Sequence, residues 1–396
     1  SAASDVYKRQ VSTSRVLGHR AMNGEPVPGT FAAEDELYGL GEALRDAGSG
    51  VFELAPAGAD GQDLGNAPKE MEWMKRLSAT IQRPVTFALL QNETEPSLWK
   101  QLLEESLEAT EQGSQCFPQV AGRPFGLLIG LQTHHAFAKR PTFINIAHLP
   151  HNELVEELQQ SSTRSAILNE TDTDPDPKIL FDGMSRMIQS MLHRLYPMGE
   201  IPDYEPDPTK SFVSIAETKN TTPEAVLYDY MLENDGYAMG MMPIFNYVDG
   251  NHDVIREMLL HPQAVSGLSD GGAHCGMICD ASIPTFMLSH WTRDRTRGKK
   301  LPLEWIIKKQ TNDTASLYGL NDRGTLHAGK RADINVIDYN ALTLHGPKMA
   351  HDLPAGGRRL LQEATGYDYT IVAGTITRQS GQDTGQRPGR LIRGAR

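Results

Sequence analysis

The 396-residue chain has little cysteine: Cys116, Cys275 and Cys279 are the only three. That number excludes a disulfide framework and fits a reducing cytosol, so a cytoplasmic protein is expected. It lacks an apolar run near the ~18 residues that a membrane span needs. It also lacks an excess of positive charge. The formal net charge is −12, which argues against a nucleic-acid or anionic-membrane partner, because both need a basic face. No stretch carries the glycine spacing and lysine of a phosphate loop, and there is no internal repeat or low-complexity tract. The opening SAASDVYKRQ has no Met and no signal-type apolar run. Residues 1–10 read as a non-native leader, and Val11–Arg15 as the end of a buried strand already inside a domain. The expectation is a chain cut at its N-terminus.

What is present is an ordinary globular composition, 39% hydrophobic and 22% charged, enough for a large core. Helices are expected over about 33–47, 68–82 and 97–112, from apolar residues at helical spacing. Between them lie near-continuous apolar runs: Gly50–Pro56, Val85–Gln91 and Phe125–Leu131. Such runs between helices predict a parallel sheet covered by helices. From about 132 to 221 the chain turns polar and rich in Pro and Asp, with helices at about 151–170 and 177–194. It reads as an excursion, either a lid or pocket wall or a plain surface insertion. The repeat resumes with helix 222–234, strand 241–245, helix 251–260, strand 264–269 and helices 282–297 and 302–318. After Gly324 the pattern changes to short alternating strands and turns.

The strongest chemical signal is Ser269-Asp270-Gly271-Gly272-Ala273-His274. A carboxylate at the C-terminal end of a parallel strand lies where catalytic groups collect in (β/α) barrels. There Asp270 could ligate a metal and take a proton from water, and His274 could touch substrate or metal. Asp-Gly is also a common turn, so the motif alone leaves both readings open. Arg15 and His19 follow a strand end and could hold a substrate carboxylate, or serve loop packing. His134 and His135 follow the GLLIGL strand and could line the same mouth. Asn246 and Tyr247 could orient a substrate amide, or simply pack. Glu53 on its strand could be a metal ligand, a substrate contact or a satisfied buried acid. Cys275-x-x-x-Cys279 lacks further ligands and reads as buried small residues. The methionines at 239, 241 and 242 read as core filler.

The tail GTLHAGKRADINVID, the helix Trp305–Tyr318 before it and the Asp270 strand together closely resemble the C-terminal part of the amidohydrolase superfamily. VSTSR, GHRAMNGEPVPGTFA, GLLIGLQTHH, MPIFNYVDGN, LSDGGAHCGMICDASIPTFMLSHW and IVAGTITRQSGQDTGQRPGRLIRG look like its N-acyl-D-amino-acid deacylase branch (amidohydrolase family 3). The resemblance implies a metal-bearing TIM-type (β/α)8 barrel over 11–323, incomplete at its N-terminus. It also implies a small β-sandwich portion over 324–396. Asp270 matches the metal-binding Asp at the end of the eighth strand. The family's His-x-His pair is absent: no two of the 13 histidines show that spacing. The histidines expected at the ends of the fifth and sixth strands are also absent, VFELAPA and VTFALLQ standing there with Glu53 and Gln91 nearby. The implied site therefore holds about one zinc ion, with Asp270 and Glu53 as ligands here and the rest upstream. The implied activity is metal-dependent hydrolysis of a linear amide, an N-acyl-D-amino acid. Its rivals are another amidohydrolase reaction (amidase, carbamoyl hydrolase or lactonase) or a catalytically silent binding relative. Expected substrate contacts are Arg15, His19, His134, Tyr247 and His274. The 396-residue chain by itself is expected to be inactive and poorly soluble.

Overall fold

The computed structural model describes residues 10–392 except 22, 60, 177, 178, 180, 270, 272 and 273. Asp270 lies outside the described residues, as does the leader up to residue 9. Up to residue 266 the strands are β1 (Gln10–Ser14), β2 (Val51–Ala55), β3 (Val85–Ala88), β4 (Cys116–Val120), β5 (Gly126–Ile129), β6 (Tyr196–Pro197), β7 (Gly240–Pro243) and β8 (Val265–Ser266). Five of them make one sheet in the order β1-β2-β3-β4-β8, every neighbouring pair parallel.

Helices α1 (Glu34–Asp46), α2 (Ala67–Ile81) and α3 (Leu98–Glu111) connect the first four strands. Each buries one stripe. In α2 it is Met71, Trp73, Met74, Leu77 and Ile81, packed with Phe52, Leu54, Val85 and Phe87 in one apolar cluster. Three acidic residues in the first turn of α1 suit the positive end of its dipole. These elements start and stop within a residue or two of the sequence expectation.

One strand is a correction. Phe125–Leu131 was expected in the parallel sheet, but β5 pairs antiparallel with β7, which also pairs antiparallel with β6. All four residues of β5 are buried. An unbroken apolar run reports burial, not sheet membership. The parallel strand there is β4, and Pro118 within it conceals it from the sequence. The backbone shows why a proline is tolerated. Gln115 and Gln119 turn their carbonyls to β3, accepting from Val85 and Leu89, whereas Val120 accepts from Gly267 beside β8. Pro118 shares the β8-facing parity, and β8 begins only opposite Gln119. The missing N–H costs no ladder bond.

Between β4 and β8 the excursion has its own apolar cluster, including Leu127, Ile129, Phe137, Ile167, Leu195, Phe212 and Tyr228. It returns to the sheet through α4 (Asp253–Leu260), and β8 is followed by α5 (Ile283–Ser289). From 334 to 383 the strands form antiparallel sheets of four, two and two strands. Of the described hydrophobic residues in that span only Leu342, Leu344 and Leu360 are buried. No helix among the described residues is long and apolar enough to cross a membrane.

Candidate active-site rim and a buried carboxylate–histidine cluster

Parallel strands direct their carboxyl ends to one edge of a sheet, and loops leaving that edge carry Arg15, His19 and His274. His19 follows β1, and its Nδ1 lies 2.6 Å from Ser14 Oγ. His274 follows β8. Their rings are 6.4 Å apart, centroid to centroid. Phe181 of the excursion stands 5.9 Å from His274 and 6.1 Å from His134. Three predicted substrate contacts, His19, His134 and His274, thus share one aromatic group. Burial, helped by the Arg358 charge, lowers the His134 pKa and favours its neutral ring. Phe181, Leu268 and His274 take left-handed backbone, with φ of 66°, 62° and 50°. Such conformations cost about 1–3 kcal/mol each in bulky residues and collect where function fixes geometry.

The other predicted residues are engaged elsewhere. Arg15 Nε donates to both oxygens of buried Glu70 at 2.9 and 2.8 Å, and its Nη1 to the Ala32 carbonyl at 2.7 Å. Glu53 accepts from Gln119 Nε2 at 3.0 Å and from Tyr318 Oη at 3.3 Å. Asn246 is wholly buried, and its Oδ1 accepts from the Gln91 N–H at 2.7 Å, fastening the 246–249 loop to the end of β3. Tyr247 donates its hydroxyl to the Pro206 carbonyl and accepts from Arg297. His135 is a core residue stacked edge-on against Phe143 at 4.4 Å, and burial pushes its pKa down to about 3.

A second group escapes the sequence reading. Glu205, on the loop after β6, His252, at the N-terminus of α4, and His290, after α5, place one ligand atom each within 4.8 Å of one another. His290 opens a π-helical turn, His290–Asp294; such turns recur at functional sites. Burial works to protonate Glu205, but hydrogen bonds from His290 and Arg295 outweigh it and hold its pKa well below the usual carboxylate range. Burial pushes His252 down to about 3, so its ring is neutral. Its Nε2 lies 2.8 Å from the Tyr204 carbonyl, which can only accept, so Nε2 carries the proton. Nδ1 is then a bare lone pair, buried without a hydrogen-bond partner, 3.7 Å from Glu205 Oε2. Tyr247 packs on this ring at 5.6 Å. Among the described residues this is the one trio of acidic, His or Cys side chains able to hold a metal, and Glu53 is not in it. No spacing rule joins residues so far apart in the chain, and PDYEPDP reads as loop.

Residues 207–378 match the amidohydrolase family. No curated protein matches the chain. Among solved structures, a crystal structure of D-aminoacylase, described as defining a novel subset of amidohydrolases, aligns with TM-score 0.50 and 17% identity over 91% of this chain and 59% of that one. A D-aminoacylase structure addressing one-metal activation and second-metal attenuation in a binuclear centre aligns equally. A D-aminoacylase mutant in complex with copper chloride aligns with TM-score 0.51 and 17% identity over 92% and 60%. The chain therefore spans about 59% of the length of the structures it resembles. The amidohydrolase match is confined to residues 207–378. Over the aligned part it shares the fold of the D-aminoacylase structures.

Proposed function

We propose that this chain comes from a metal-dependent amidohydrolase that cleaves linear amides, most specifically N-acyl-D-amino acids. The observation that carries the reading is the ring contact of Phe181 with His134 and His274, and of His274 with His19, on loops beyond β1, β5 and β8, in a chain whose residues 207–378 match the amidohydrolase family. On this reading the five parallel strands are part of a TIM-type (β/α)8 barrel spanning 11–323, with the 132–221 excursion beside its mouth. The strands after 324 are part of a β-sandwich.

Asp270 is the general base: it accepts the proton of the attacking water and passes it to the leaving amine. The rim imidazoles supply hydrogen-bond donors for the substrate's carboxylate or acyl oxygen. Arg15 and Tyr247 act one step back, as positioning residues. Arg15 ties the loop after β1 to Glu70, and Tyr247 ties the 246–249 loop to Pro206. The described residues at the rim do not by themselves complete a metal site, so the proposed single zinc needs Asp270 and upstream ligands.

The test is hydrolysis of N-acetyl-D- and N-acetyl-L-amino acids by the chain extended upstream, with Asp270→Ala alongside. Release of free D-amino acid that Asp270→Ala abolishes supports the proposal. No hydrolysis of either enantiomer by a folded, extended protein rejects it.

A further inference from the structure

Glu205, His252 and His290 share no residue with the rim, and the hydrolase reading gives them no work. Their geometry is that of a ligand set. Two metal–ligand bonds of ~2.1 Å at the tetrahedral angle hold their ligand atoms ~3.4 Å apart. Glu205 Oε2 lies 3.0 Å from His290 Nε2 and 3.7 Å from His252 Nδ1, which brackets that value. The Tyr204 carbonyl fixes the His252 tautomer that leaves Nδ1 bare, the outer-shell device that orients ligating histidines. A buried lone pair with no donor is costly unless something fills its place. Glu205 and His290 also line a cavity of ≈ 460 Å³ whose wall carries Asp203, Asp207 and Asp294. Lys210 and Arg297 stand on the same wall, so its charge is mixed.

Arg295 is the competing cation. Its Nη2 donates to Glu205 Oε1 at 2.8 Å, where the His252 N–H also donates at 2.7 Å. Its Nε reaches Oε2 at 3.0 Å. Oε1 is thus the anchored oxygen, and Oε2 faces both imidazoles. Asp253 holds Arg295 at 2.8 Å on its other side and offsets its charge. An arriving dication needs only the Nε contact to give way and the His290 proton to move to Nδ1.

We propose that Glu205 Oε2, His252 Nδ1 and His290 Nε2 bind one divalent transition-metal ion of the zinc class, clamping the excursion loop to the helices on either side of β8. The test is zinc titration of the 396-residue chain against a chromophoric chelator, with cobalt(II) absorption reporting tetrahedral geometry. His290→Gln, His252→Phe and Asp270→Asn are run beside it, each checked for folding by circular dichroism. The expected result is one tight equivalent in the parent and in Asp270→Asn, weakened at least about tenfold in whichever histidine variants fold. No zinc uptake by the parent overturns the proposal. So does uptake that survives both histidine changes, or uptake lost only in Asp270→Asn. Because Asp270 reports on the rim, failure here leaves the hydrolase reading standing, and the reverse.

Discussion

The loop histidines grouped with Phe181 and the Glu205 cluster use the same side-chain types under opposite physical conditions. His19, His134 and His274 are incompletely buried and meet through aromatic contacts near 6 Å, with left-handed backbone at His274 and at Phe181. Glu205 and His252 are almost sealed from solvent and locked by hydrogen bonds of 2.7–3.0 Å. The first arrangement can admit a substrate and adjust around it. The second is set before anything arrives, which suits an ion and a clamp. In general, strained and accessible loops are where function collects, and buried polar groups hold a scaffold in shape.

That contrast can be broken in several places. The largest expected effect is on turnover: Asp270→Ala lowers kcat on an N-acyl-D-amino acid by about 10²–10⁴-fold, with little change in the urea midpoint. Glu205→Ala does the opposite, leaving Arg295 buried and unpaired. It costs about 3–5 kcal/mol in urea unfolding without a specific effect on KM. Arg15→Ala sharpens the boundary between the regions. With its guanidinium committed to Glu70 it costs about 3 kcal/mol of stability and leaves KM for the acyl amino acid nearly unchanged. A KM increase with unchanged stability would return Arg15 to the substrate.

A pH slope is also expected, smaller per unit of pH than the changes above. His135 is held neutral by burial down to about pH 3, whereas in the unfolded chain it titrates near 6.5. The unfolded state therefore binds the extra proton first, and stability falls as pH drops from about 6.5 toward 3, by at most about 1.4 kcal/mol per unit. The urea midpoint of His135→Phe followed over that window should show a shallower slope.

Much of this molecule was legible in the sequence because its determinants are local. Helical spacing located α1–α3, and apolar runs located β2 and β3. The His274 turn lies at the edge where its ring meets His19, while Asp270 lies outside the described residues. What stayed hidden is non-local. Pro118 disguised β4, since its tolerance depends on where β8 begins. β5 gave the right burial and the wrong partner. Glu205 bonds residues 47 and 85 positions away, and only the folded excursion brings them together. Its surroundings of Pro and Asp looked like solvent-facing loop.

One measurement bears most directly on the division of labour: kcat for an N-acetyl-D-amino acid in the upstream-extended protein, with Asp270→Ala and His290→Gln compared side by side at saturating zinc. The expected result is hydrolysis lost in Asp270→Ala and largely retained in His290→Gln. Hydrolysis that persists in Asp270→Ala but disappears in a folded His290→Gln would contradict the account and move the chemistry to the buried cluster.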